Sequence, residues 1–384
     1  MDHDGQVTPQ INQTSRISRR DPLRTGAVVA GAAVGSQALA GTPASVAPLP
    51  AAGHPRSGSY RTAIKLLGTA GGPPSWPDRL GISSALVVDG RTYIIDLGHG
   101  SFDQVAKAGL TDDSIHNIFV THLHSDHIAD LYTLLWLRFG GLGGFSHPVD
   151  VYGPGRAGAL PPPVPASRAV PTIHPEAPTP GLTDFLTTSI AATAYDVNIR
   201  IRDEGWNNVL DIIHPHDIQL PDVGASPTGD IAPPMQPFLV MEDDRVRVTA
   251  ILVRHPPVFP SFAFRFDTDD GSVVFSGDTT LTPNIPALAR GAGILVHEAI
   301  DLKYFADLGL SVALEQHLAG AHTEVTKVGA IAEEAGVDTL VLTHLAPGGT
   351  AQVANHTWLR NASQGFSGRV IIGTDLMEIG VGAR

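Results

Sequence analysis

The chain of 384 residues contains no cysteine. Disulfides and thiolate metal sites are thereby excluded, so any transition metal has to be held by histidine, aspartate and glutamate. Basic residues are scarce as well: 25 Lys and Arg stand against 38 Asp and Glu, a formal charge of −13. A surface that tracks nucleic-acid phosphates needs the opposite balance, so no nucleic-acid partner is expected. Charged residues of all kinds make up only 16%, while 42% of the chain is hydrophobic, which is enough to bury a large core. No apolar run is long enough to span a bilayer. The apolar stretch at residues 26–35 is broken by Ser36 and Gln37, short of the roughly 18 to 20 residues a spanning helix needs. A phosphate-binding loop is missing too: Gly68-Thr69-Ala70-Gly71-Gly72 follows a strand at 61–67 but lacks the dinucleotide and Walker spacings, and it reads as a tight turn.

What the chain has is histidine in a dense group. Thr121-His122-Leu123-His124-Ser125-Asp126-His127 places three histidines and an aspartate within six positions. The apolar, β-branched residues 115–121 predict a buried strand, and Ile128, Leu131, Leu134, Leu135 and Phe139 have helical spacing, so the group occupies a strand-to-helix turn. His122 and His124, two positions apart, leave the same side of an extended backbone. Four such ligands are too many for one closed tetrahedral site plus solvent, which favours two divalent ions, zinc by ligand type.

The N-terminal stretch reads as a targeting segment. Ser18-Arg19-Arg20-Asp21-Pro22-Leu23-Arg24, the apolar stretch and Ala38-Leu39-Ala40 together resemble a twin-arginine export signal. The expectation is a signal peptide at 1–40 read by the twin-arginine machinery, a linker at 41–58, one domain at 59–384, and a periplasmic or extracellular location. Within the domain, Asp89-Gly90 predicts a hairpin between strands at 84–88 and 92–95. Asp96 and His99 then fall near the metal turn. A proline-rich composition marks an insertion at about 155–237, an arm or lid, with one helix at 182–201. Tyr195, Asn198, Arg200 and Arg202 on that helix are read as solvated, with substrate contact the alternative. His214 and His216 are assigned to a proline-flanked loop and not to a metal.

Further along, short apolar strands end repeatedly in His or Asp: His122, His255, Asp278, His297, His344 and Asp375. Strand ends gathered at one sheet edge form a shared cleft.

These residues resemble the metallo-β-lactamase superfamily, whose HxHxDH signature THLHSDH matches. Within it, the LGTAGGP, SGDT, HEA and late THL stretches resemble the branch of RNase Z and the zinc-type arylsulfatases. HPPVFPSFAFRFDTDDGSVVFSGDT is closest to the arylsulfatases. The resemblance implies a four-layer αββα sandwich of α/β class. It also implies one metal on His122, His124 and His255, a second on Asp126, His127 and His344, and Asp278 between them. Two such ions generate a hydroxide nucleophile at neutral pH. Asp126 can orient it, and His322 can protonate the leaving group if Glu298 or Glu324 compensates its charge. His297 reads as structural. The expected substrate is a small-molecule sulfate ester, aryl or alkyl. An RNase Z-type phosphodiester or a lactone or β-lactam is the alternative.

Overall fold

The structure is a computed structural model, and it describes residues 60–164 and 166–382. The expected signal peptide and the linker lie outside the described residues.

Among the described residues, fourteen strands form two seven-stranded sheets. The first contains β1 (Thr62–Gly68), β2 (Ser83–Val88), β3 (Arg91–Ile95), β4 (Ile115–Phe119), β5 (Val149–Pro154) and β6 (Ile213–Ile218). The second contains β7 (Phe238–Glu242), β8 (Val246–Leu252), β9 (Phe262–Thr268), β10 (Gly271–Phe275), β11 (Ile294–Ile300), β12 (Thr339–Ala346) and β13 (Arg369–Ile372). A last strand, β14 (Met377–Gly380), returns to the first sheet beside β1, and the orders are β14-β1-β2-β3-β4-β5-β6 and β13-β12-β11-β10-β9-β8-β7. In both sheets the pairing is antiparallel on one side and parallel on the other.

Alternation explains how one strand serves two interiors. In β3, Tyr93 and Ile95 point into the layer between the sheets, and Ile94 points under the helices outside. In β2, Leu86 and Ala85 divide the same way. Between the sheets Phe119 stacks edge-on against Phe266 at 5.1 Å. The helices Asn284–Ala289 and Val325–Ala335 cover the second sheet through Ile285, Leu288, Val325, Val328 and Ala332. The helices Leu131–Arg138 and Leu182–Ala192 cover the first through Leu131, Leu134, Leu182 and Leu186. This is the expected helix–sheet–sheet–helix sandwich.

Asp89 and Gly90 both take positive φ, 47° and 83°, which makes the predicted hairpin turn. Two expectations need correction. Residues 182–201 form two helices, Leu182–Ala192 and Ala194–Asp203, with the break at Thr193. His214 and His216 stand on β6, a sheet-edge strand that tolerates Pro215 in its middle, and they are not in a loop. Among the described residues, no helix is long and apolar enough to cross a membrane.

Candidate metal centre

The hairpin turns lie at one end of the sandwich and the histidines at the other. Thr121 to His127 follow β4, and His255 follows β8 by three residues. Asp278 follows β10 through Gly277, whose φ of +57° and close approach to the Phe262 carbonyl leave no room for a Cβ. His344 is the unpaired residue of a bulge in β12, with a positive φ of 42° that re-aims its ring. The backbone N–H of Phe262 donates to the Thr121 carbonyl at 2.9 Å and ties the two sheets together beside the site.

His122 Nε2 lies 3.0 Å from His124 Nδ1, which is 3.2 Å from His255 Nε2. Asp278 Oδ2 is 3.9 and 3.8 Å from the His122 and His255 nitrogens. On its other side the same oxygen is 3.4 Å from His127 Nε2 and 3.2 Å from His344 Nε2. Asp126 Oδ2 completes that side, 3.4 Å from His344 and 3.7 Å from His127. The residues fall into two ligand sets, His122–His124–His255–Asp278 and Asp126–His127–His344. Asp278 sits between the sets.

Hydrogen bonds orient the rings from behind. His127 Nδ1 donates to Asp96 Oδ2 at 2.8 Å, and Asp96 also accepts from the backbone N–H and hydroxyl of Thr121, each at 2.8 Å. His255 Nδ1 donates to the Ala321 carbonyl at 2.8 Å. With Nδ1 engaged in both rings, Nε2 is the atom that faces the cluster. Burial drives the His122 imidazole well below its usual range and takes His255 down to about 3, so both rings are neutral. For His127 burial opposes charge, but Asp278 and Asp96 outweigh it and hold the ring as an imidazolium. A divalent cation would replace that proton.

The donor set fits divalent metal on this structure's own terms. His127 Nε2 and Asp278 Oδ1 are buried and have no hydrogen-bond partner, a costly state unless a cation satisfies them. The carboxylates are ready for the role: Asp126 and Asp278 stay ionised because the neighbouring histidines outweigh burial.

His322 closes the α-helix Val312–Ala321 as its C-cap, where the helix dipole favours a cation. The sequence placed it only before the next helix, where the dipole works the other way. Its Nδ1 meets Glu298 Oε1 at 3.2 Å, and Glu298 also accepts from the Thr279 and Thr323 backbone N–H groups. Burial disfavours the charge, yet Glu298 and Asp278 push His322 up to about 9. Glu298 is thus the compensating carboxylate. Glu324 instead accepts from the Leu302 N–H. His322 is also within ligand reach of Asp278 and His344.

Of the other residues expected at strand ends, His297 lies instead inside β11, and neither it nor Asp375 joins the cluster. His297 is fully buried, with Nδ1 on the Glu298 carbonyl. Asp375 binds the Thr69 hydroxyl and Leu80 N–H, both at 2.7 Å, beside buried Arg79. His99 stands outside both ligand sets. Arg200 pairs with Asp196 and Glu204 and stacks on Trp206. Tyr195, Asn198 and Arg202 line a surface depression that contains none of the ligands.

Two features escaped the sequence reading. Gly71 packs on His344, where a Cβ would come within 2.6 Å of Nδ1; its place in a glycine-rich turn was the only signal. The second is an apolar cavity of about 530 Å³ that reaches the ligands from the helices Leu302–Asp307 and Val312–Ala321. Residues of the 155–237 segment line another chamber, of about 350 Å³, with Leu123, Ile128 and Phe259.

Comparison with known proteins agrees with this geometry. Residues 77–344 match the Metallo-beta-lactamase superfamily. Ribonuclease Z of Mycobacterium avium (strain 104) is 31% identical over 322 residues, 83% of this chain and 98% of that protein. Ribonuclease Z of Mycobacterium marinum is 29% identical over 84% of this chain and 99% of that protein. Among solved structures, human tRNase Z, short form, covers 84% of this chain and 100% of its own at TM-score 0.55 and 21% identity. Zinc-bound PqqB from Methylobacterium extorquens covers 83% of this chain and 100% of its own at TM-score 0.53 and 14% identity. At those identities the structures speak for the fold alone. The relatives' names favour the RNase Z side of the branch and leave the arylsulfatase side unconfirmed. By its sequence match and its paired ligand sets, the chain belongs to the metallo-beta-lactamase superfamily and is a metal-dependent hydrolase.

Proposed function

We propose that the chain hydrolyses phosphodiester bonds. The observation that carries this reading is the 31% identity to ribonuclease Z along 98% of that protein's length. It displaces the sulfate-ester reading that the motifs alone favoured.

His122, His124 and His255 would hold one divalent ion and Asp126, His127 and His344 the other, with Asp278 shared. The ions, zinc by ligand type, would supply Lewis acidity at the ester oxygen and bring the pKa of water towards neutrality. Asp126, ionised at any physiological pH, accepts a hydrogen bond from the attacking water and so orients it. His322, kept protonated by Glu298, gives its proton to the departing oxygen.

The deciding assay loads the purified protein with zinc and compares kcat/KM for bis-p-nitrophenyl phosphate, p-nitrophenyl sulfate and a chromogenic β-lactam. The diester should lead by about tenfold or more, roughly 1.4 kcal/mol of transition-state preference. A lead for the sulfate would restore the sulfatase reading. We also propose that residues 1–40 direct export, on the strength of Arg19-Arg20 and the segment that follows.

A further inference from the structure

The cavity at the ligands is walled on one side by Asp126, Asp278, His124, His322 and His344 and on the other by carbon. Trp76, Tyr304, Phe305, Leu308, Leu314 and Leu318 supply the far wall. Leu308 and Leu314 are 53% and 43% exposed. Large apolar side chains converging on a catalytic cleft mark a binding surface, whereas scattered single ones do not. No lysine or arginine lines the cavity. A polynucleotide would carry one phosphate per residue into this space and would need cations to meet them. In the wall, Trp76 Nε1 is screened from solvent and has no hydrogen-bond partner. The volume, about 530 Å³, suits a drug-sized organic group.

We infer that the alcohol expelled beside His322 is a compact, apolar, aromatic-sized group seated against Trp76, Tyr304, Phe305, Leu308, Leu314 and Leu318, and that the natural ester is a small molecule and not RNA. The inference rests on the phosphodiesterase reading for the bond broken. In the step itself, water adds to phosphorus and the P–O bond to the apolar alcohol breaks. The leaving oxygen takes its proton from His322, and water's proton goes to solvent.

The experiment reads binding, so it does not depend on turnover. The zinc-loaded full chain is titrated calorimetrically with n-alkylphosphonates from methyl to octyl. Affinity should rise roughly three- to fourfold per methylene until the cavity is filled. Leu314→Glu and Leu308→Glu should cut the octyl-to-methyl affinity ratio at least tenfold, while Leu239→Glu, on exposed β7 outside the cavity, should leave that ratio as it is. A flat series overturns the inference. So does tighter binding of a single-stranded RNA than of octylphosphonate, with a steep salt dependence. A gradient in a protein that does not cleave bis-p-nitrophenyl phosphate keeps the pocket and removes the reaction. Cleavage with a flat series does the reverse.

Discussion

Asp96 shows how a residue that touches no metal can decide whether one is held. It takes a positive φ of 58°, which aspartate tolerates better than most residues, and there its two oxygens meet Thr121 and His127. Asp96→Ala should weaken zinc binding at the Asp126–His127–His344 set by roughly 10- to 100-fold, measured by competition with a chromophoric chelator. Unchanged affinity would show that packing alone orients His127. His322 makes a second prediction at this scale. His322→Ala should slow esters of poor leaving groups by about 100-fold and those of good leaving groups far less, and Glu298→Gln should follow the same pattern. Equal losses across a leaving-group series would remove the proton-donor role. The ligand positions were legible because they lie at or near the ends of apolar strands. The Glu298 partnership was only half legible, since the sequence offered Glu324 equally and only the fold brings Glu298 to 3.2 Å from His322.

Among the elements, the helix Leu182–Ala192 is anchored by charge at its first turn. Asp184 accepts from the Gly181 N–H at 3.0 Å, and Arg156 grips it through two nitrogens at 2.6 and 2.5 Å. The Arg156 contact takes its carboxyl down to about 2. Because the folded value is depressed, the contribution is complete above the unfolded value of about 4 and is lost as pH falls towards 2. Asp184→Ala should cost about 0.5–1 kcal/mol at pH 7 in urea unfolding, the pair being partly exposed. The gap between variant and wild type should narrow below pH 4; a constant gap would mean that the helix loses packing and not charge. The break after this helix was not legible. Thr193 bonds back to the Ser189 carbonyl at 2.9 Å and to the Tyr132 hydroxyl, a contact that spans 61 residues and leaves no mark in local periodicity. The Asp89-Gly90 turn was legible because its chemistry is entirely local.

For the whole molecule, the sandwich could be anticipated from strand ends and its interior from alternation, but the apolar cavity could not. Leu308, Leu314 and Leu318 line the cavity with His322 only because the fold brings them together. Export is the prediction that belongs here. Arg19→Lys together with Arg20→Lys should retain the protein in the cytoplasm on fractionation of the producing cells, with a loss of about tenfold or more from the exported fraction. Equal distribution of variant and wild type would discard the twin-arginine assignment.

The candidate metal ligands are drawn from both sheets, the first from the turn after β4 and the last from the bulge in β12, more than half the chain apart. Neither set can assemble early in synthesis, because Asp278 and His344 emerge long after His122. Loading is therefore a late event in the life of each molecule, open only to chains whose two sheets have already closed. If the twin-arginine route passes folded cargo, the ions are acquired before departure, from the metal pool of the compartment in which the chain is made.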